Sequence, residues 1–197
     1  AWWGAEESGL VGSTYYVNDL SQAEQDKITL YLNFDMVGSP NFARFIYDGD
    51  GSGFGIPGPP GSAQIEALFK VFYDARGFAS EPTAFDGRSD YRPFIQVGIP
   101  AGGLFTGAEG IKTPAQVLLY GGTAGIAFDP CYHQACDTYS NNNDDVLHLN
   151  ADAIAYATLQ YAMNTEAING VRGKGNFKQL GAAAAARFEW LGSRQIR

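Results

Sequence analysis

The spacing of apolar residues changes several times along this chain, and each change marks an element. Trp2 and Trp3 read as the end of a buried strand. Residues 8–20, with Leu10, Val11, Tyr15 and Val17 among their apolar positions, read as a helix. Residues 28–34 then alternate Ile, Leu, Leu and Phe as a strand does. Two strands flanking a helix suggest a βαβ unit. Phe45–Tyr47 is a further short strand, and the glycines and prolines of 48–61 preclude regular structure. Ser62 is placed to cap a helix whose Ile65, Leu68, Phe69 and Phe72 share one face before Gly77 ends it.

Residues 99–105 read as a short apolar strand, followed at 106–145 by a long irregular stretch rich in Gly, Asn and Asp. Ordered loops of that length tend to be functional. The last helix is expected to start at Asn150 as N-cap, with Leu149 and Ile154 as a hydrophobic staple, and to run through Tyr161. Strands alternating with helices predict an α/β fold, a three-layer sandwich around a mixed, mostly parallel sheet whose ligand sites lie beyond the carboxyl ends of strands. The opening on Trp2 and Trp3 leads us to expect that sheet to be incomplete at its amino-terminal side.

A length of 197 residues, 45% of them hydrophobic, is enough for one domain with a sizeable core. The charge is uneven: residues 1–166 hold 7 basic and 20 acidic residues, whereas 167–197 hold 6 basic and 1 acidic. We therefore expect a domain at 1–166 and a basic tail of unassigned role at 167–197, with a short helix at 182–186. The net charge of -8 argues against a nucleic-acid surface, which needs clustered Lys and Arg. No stretch approaches the roughly 20 apolar residues of a membrane span, and any export signal would lie outside these residues. A monomer without nucleic-acid or membrane partners is expected.

Charge and cysteines then direct attention to chemistry. Glu6 and Glu7 are adjacent acids where an apolar segment meets a helix start, and helix N-termini favour negative charge anyway. Asp35 is harder to explain in that way. An acid directly after a core strand is costly unless paired or metal-bound. His133 lies beside Tyr132 between the only cysteines, Cys131 and Cys136, which could close a small disulfide loop in an oxidising compartment. A zinc finger would need a second ligand pair, and none follows. Carboxylates with an imidazole and no thiolate suit zinc in a hydrolytic site, with one carboxylate left over as general base.

Competing motifs fare worse. Residues 53–58 match a dinucleotide fingerprint in spacing, yet Pro57, Pro59 and Pro60 lack the amides a pyrophosphate needs. Residues 48–53 resemble the start of a calcium loop, but its twelfth position is Pro59 where a bidentate Glu belongs; only a loose surface calcium site stays open. No Gly-x-Ser-x-Gly elbow is present for a serine hydrolase. His148 reads as a surface or capping residue.

Four segments occur together and in order: Trp3-Gly4-Ala5-Glu6-Glu7-Ser8-Gly9-Leu10, Asn33-Phe34-Asp35-Met36-Val37-Gly38-Ser39, Asp86-Gly87-Arg88-Ser89-Asp90-Tyr91 and Cys131-Tyr132-His133-Gln134-Ala135-Cys136-Asp137. In these the chain resembles the di-zinc aminopeptidases related to aminopeptidase Y, glutamate carboxypeptidase and the transferrin receptor ectodomain. The secreted bacterial, leucine-preferring members are the most similar, and the resemblance spans roughly 1–166. It implies an extracellular metalloexopeptidase acting on peptides with a free amino terminus, with two zincs per complete site. Glu6 would be the general base that activates the water shared by the metals. Glu7 and His133 would hold one zinc and Asp35 the other, while Tyr132 would donate to the oxyanion. Met36, Gly87, Arg88 and Phe105 would wall the pocket for the first side chain, and Cys131 would pair with Cys136. The family's remaining histidine and bridging aspartate precede the Glu-Glu motif, so this chain is expected to be the carboxyl-terminal part, weakly active or inactive alone. The alternative is a non-catalytic, truncated or degenerate member of the same fold.

Overall fold

A computed structural model describes residues 1–169. One sheet holds β1 (Tyr31–Phe34), β2 (Phe45–Tyr47), β3 (Glu81–Thr83) and β4 (Ala101–Phe105) in the order β1-β4-β2-β3. β1 is parallel to β4 and β2 to β3, while β2 and β4 are antiparallel. The sheet is mixed and mostly parallel, as the alternation of elements predicts.

Side chains alternate across the strands and send apolar groups to both faces. On one face Leu32, Phe34, Ile46 and Leu104 pack against α3 (Ser62–Asp74) and α6 (Asp144–Met163). Ile65, Phe69, Phe72 and Leu104 are at most 1% exposed there, and burial of such a side chain contributes about 1.5–3 kcal/mol. On the other face Tyr31 stacks on Phe94 of α4 (Arg92–Gln96) with centroids 4.0 Å apart, and Val17 of α1 (Val11–Asp19) joins Phe94 and Ile99. Helices on both faces make the expected three layers. The central strand is thin: a Cβ on Gly102 would stand 2.4 Å from Ile65 Cγ2, so the glycine lets α3 approach the sheet.

Several boundaries differ from the sequence-based expectation, each for a local reason. Residues 1–10 form turns rather than a strand. Trp2 is wholly exposed, and the Trp3 indole donates to the Tyr31 hydroxyl at 2.9 Å. The first helix begins at Val11, not at residue 8, because Ala5 and Leu10 adopt left-handed φ of 56° and 58° in the turns before it. No βαβ unit therefore forms around it. Ser62 does not cap α3; Gly61 occupies that position, and the Ser62 hydroxyl accepts the Ala101 amide at 3.0 Å, tying helix to strand. The stretch 106–145 contains α5 (Pro114–Tyr120), whose Thr113 and Gln116 form a capping box ahead of a proline first turn. The long helix α6 starts seven residues earlier than expected, with Asn143 rather than Asn150 as its cap, accepting the Val146 amide at 3.0 Å. Asn150 is an interior position. Its buried carboxamide accepts from Tyr73 at 2.5 Å and donates to the Val37 carbonyl at 2.8 Å.

The short α2 (Gln22–Gln25), α4 and β3, a 3-10 turn at Tyr139–Asn141, and α7 (Glu166–Asn169) carry too few periodic residues to have been expected. The basic tail beyond residue 169, with the helix expected at 182–186, lies outside the described residues. Among the described residues no helix is long and apolar enough to cross a membrane.

Candidate active site

Because β1 and β4 are parallel, their carboxyl ends open on the same edge of the sheet. Asp35 and Met36 leave β1 there, with Met36 at a left-handed φ of 49°. The turn is held from two sides. The Thr106 amide, just after β4, donates to Met36 O at 2.9 Å, and Asn150 of α6 holds the carbonyl of Val37 at 2.8 Å. A non-glycine residue in this conformation costs energy that the surrounding bonds must offset.

Glu6 and Glu7 lie on a second tight corner. Leu10 N donates to Glu6 O at 2.7 Å, and the Gly12 amide donates to Gly4 O at 3.0 Å. That approach is too close for a side chain: a Cβ on Gly12 would stand 2.7 Å from the Gly4 oxygen. The Trp-Gly-Ala-Glu-Glu run is thus packed backbone to backbone on the start of α1.

The third element is the loop closed by the Cys131–Cys136 disulfide. Its amides are consumed locally: Cys131 N donates to Asp129 Oδ1 at 2.9 Å and Gln134 N to Cys131 O at 2.8 Å. His133 is held at φ 57° with its ring 4.0 Å from that of Tyr132. The loop carries its imidazole to the glutamate corner, where His133 Nε2 meets Glu7 Oε1 at 3.1 Å.

These elements face one cavity of about 700 Å³. Glu6, Glu7, Asp35, Met36, Arg88, Phe105, Tyr132 and His133 all line it. Gly87 is not among the lining residues. It is buried, with φ 81°, and its amide donates to the Tyr91 hydroxyl at 2.8 Å, so it shapes the turn that presents its neighbours. His148 is exposed on α6, away from the cavity.

Behind the front row stand acids and hydroxyls that no sequence pattern marks as site residues. Ser89 donates to Asp35 Oδ2 at 2.6 Å and in turn accepts from buried Asn33 at 2.9 Å. Arg88 pairs with Glu109 at 2.7 Å across the cavity wall. Asp86 accepts from Tyr91 at 2.9 Å. Ser89 and Asp90 sit in a segment already noticed as a motif, but nothing in their spacing says that one would buttress Asp35. Glu109 had no signal at all.

Burial and crowding of like charges dominate the electrostatics. Glu6 is pushed up from 4.5 to about 8, first by burial and then by Asp35, Glu7 and Asp90, with Arg88 opposing. Burial likewise raises Asp35, which the Ser89 hydrogen bond only partly offsets, and raises Asp90. One Asp90 carboxylate oxygen, Oδ1, is buried without a hydrogen-bond partner. Tyr132 is pushed up to about 12 by burial and by Glu7, so its phenol stays a proton donor at neutral pH. For Arg88 burial disfavours the charge, but the bond to Glu109 outweighs it and holds the guanidinium above its ordinary value. A half-buried group of carboxylates around one imidazole, with its nearest guanidinium engaged by Glu109, has the donor types and the excess negative charge that suit a divalent cation.

The acids of the calcium-like segment serve the fold of their own loop. Asp48, Asp50 and Glu66 stand with ligand atoms within 4.8 Å of one another. Asp48 is buried and accepts the Gly53 and Phe54 amides, at 3.1 and 2.8 Å for Oδ2, while Asp50 accepts the Ser52 amide at 2.7 Å. This is a turn braced by carboxylates, without the twelve-residue geometry of an EF-hand.

Comparison with known proteins decides the lineage. The model of peptidase family M28 matches residues 1–158. The chain belongs to peptidase family M28. Among its M28 relatives, leucine aminopeptidase 2 of Trichophyton rubrum is 60% identical over 162 residues, covering 82% of this chain and 33% of the fungal protein. An aminopeptidase of Pseudomonas aeruginosa is 57% identical over 169 residues, covering 86% of this chain and 32% of its own. The M28 chain thus spans about a third of the length of the curated relatives it matches. Its fold is similar to that of a zinc aminopeptidase from Bacillus subtilis, with a TM-score of 0.60 at 25% identity over 81% of this chain and 34% of that one. An aminopeptidase from Aneurinibacillus sp. strain AM-1 gives 0.57 at 26% identity, covering 80% and 32%.

Proposed function

We propose that this chain supplies the general base, the oxyanion donor and part of the metal set of a zinc-dependent aminopeptidase that removes amino-terminal residues from peptides. The observation that carries this reading is the contact of Glu7 with His133 at 3.1 Å in a cavity also lined by Glu6, Asp35 and Tyr132. Residues from distant parts of the chain converge there with complementary chemical roles.

Glu7 and His133 would hold one zinc and Asp35 a second, and the other ligands implied by the family resemblance would come from polypeptide outside these residues. When bound, zinc acts as a Lewis acid that polarises the scissile carbonyl and lowers the pKa of water. Glu6 is the general base: it takes the proton of the attacking water and passes it to the leaving amine nitrogen. The high pKa it has without metal should fall once cations offset its acidic neighbours. Tyr132 donates its phenolic hydrogen to the oxygen that gains charge. The acids at the mouth hold the substrate's amino group and so restrict cleavage to chain ends. Met36 and Phe105 offer an apolar wall to a leucine-like first side chain, a preference worth about 1–3 kcal/mol per methylene. The Cys131–Cys136 disulfide supports an oxidising, extracellular setting. The loose surface calcium site would lie at Asp48, Asp50 and Glu66, whose ligand atoms stand within 4.8 Å of one another, and the zinc chemistry does not require it.

The test is Glu6→Gln in the full-length enzyme, assayed with leucine p-nitroanilide. Turnover should drop about 10²- to 10⁴-fold with little change in KM, while zinc content is kept. Near-normal turnover would remove Glu6 as base, and a wild-type protein that takes up no zinc would favour a non-catalytic member of the family.

A further inference from the structure

The side chain that ties the His133 loop to the rest of the site lies outside all four sequence motifs. Asn141, in the 3-10 turn Tyr139–Asn141, directs one amide group at two carboxylates: Nδ2 donates to Asp129 Oδ1 at 2.8 Å and to Asp137 Oδ1 at 3.2 Å. These two acids flank the disulfide loop. Asp129 precedes Cys131 and accepts its amide at 2.9 Å with the same Oδ1; Asp137 follows Cys136 and lines the cavity. The NH2 group has two hydrogens, one for each acid, and so brackets the loop from both ends.

Asn141 is itself anchored. Its amide donates to Thr138 O at 2.8 Å, and two residues on, the Asn143 amide donates to Gly38 O at 2.9 Å. Asn143 also caps α6 through its side chain, which accepts the Val146 amide at 3.0 Å. Gly38 belongs to the turn that leaves β1 at Asp35. The loop of His133 and the turn of Asp35 are therefore referred to one frame, and the Asn141 carboxamide is the side-chain link between that frame and the loop. The disulfide alone closes the loop on itself without fixing where it points.

We infer that Asn141 is a positioning residue for His133: it sets the imidazole against Glu7 by holding Asp129 and Asp137 together across the base of the disulfide loop. This rests on the proposed metal role of His133, and it adds a residue that touches neither substrate nor metal ligand. Loss of a group bonded directly to a metal ligand typically weakens metal binding about 10- to 100-fold; Asn141 acts one step further out, so its loss should cost less.

The test uses the full 197-residue chain, which contains two histidines and so gives two sets of imidazole resonances. The His133 set carries the ring-current shift of Tyr132, whose centroid is 4.0 Å away, and His148 on α6 serves as internal control. Asn141→Ala should move and broaden the His133 lines and leave those of His148 in place. Asn141→Asp is nearly isosteric but lacks the donors and adds a third negative charge, so it should disturb His133 at least as much. In both variants the zinc concentration that half-perturbs the His133 lines should rise, by less than the about 10- to 100-fold typical of a direct ligand partner, and dithiothreitol should reduce the disulfide faster. A variant that does not fold is replaced by Asn141→Ser, which keeps one donor and should shift His133 less. Unchanged His133 lines in Asn141→Ala, or wild-type behaviour of Asn141→Asp, would overturn the inference, the second by showing that shape alone is needed. If zinc moves no His133 line even in the full-length protein, where the remaining ligands are present, the metal reading fails instead, since the metal-free spectra still report on Asn141.

Discussion

Glu6 is where the site's competing requirements meet. Half-buried and placed beside Asp35, Glu7 and Asp90, its carboxylate is disfavoured first by burial and then by those acids, which pushes its pKa up to about 8. A folded-state value raised above the ordinary 4.5 means the folded protein binds the proton more tightly than the unfolded chain does. The relative stabilisation is complete at low pH and is lost as pH rises from about 4.5 to about 8. Asp35 and Asp90, also raised, act with the same sign. In the chelated protein, urea unfolding across this window should show stability falling with pH, and Glu6→Gln should flatten part of the fall. An unchanged slope would mean that Glu6 titrates alike in both states. The sequence shows that two acids are adjacent; it is silent on the burial that separates their roles.

At the level of elements, α6 does more than cover a sheet face. Asn150 sits in the middle of the helix, where its propensity is poor, and spends its carboxamide on the Tyr73 hydroxyl and the Val37 carbonyl. It couples α3, α6 and the turn after β1. Asn150→Ala leaves the buried Tyr73 hydroxyl and the half-buried Val37 carbonyl without that partner and should cost about 1–3 kcal/mol in urea unfolding. The damage should extend to the Asp35 turn, visible as faster amide exchange around Val37. An Asn ahead of an apolar run looks like a cap, which is why the sequence placed the helix start at residue 150. Asn143 satisfies the same rule seven residues earlier, and contacts distant in sequence decide between them.

On the scale of the whole molecule, three segments remote in sequence, around Glu7, Asp35 and His133, converge on one acidic cavity. The convergence concentrates negative charge that a bound cation would neutralise, so metal should stabilise the fold as well as serve chemistry. Zinc at one hundred times its dissociation constant should add about 2.7 kcal/mol, read as a rise in melting temperature that a chelator reverses. Magnesium should do much less, because it prefers oxygen ligands and an imidazole is among the donors. Equal stabilisation by both ions would point to simple charge screening rather than coordination.

From the sequence alone, the alternation of strands and helices was enough to expect an α/β layer fold, and the family resemblance carried by the four motifs was enough to name eight residues that line the cavity. Strand alternation and the helical face of Ile65, Phe69 and Phe72 are local patterns, legible because a buried face repeats at fixed spacing. Only the tertiary structure showed that Gly87 lies behind the cavity wall, that Ser89 braces Asp35, that Arg88 is held by Glu109, and that Asn141 spans the His133 loop. Those facts depend on distances between segments far apart in the chain. A residue's type and spacing state what it can do, and its neighbours in space determine which of those things it does.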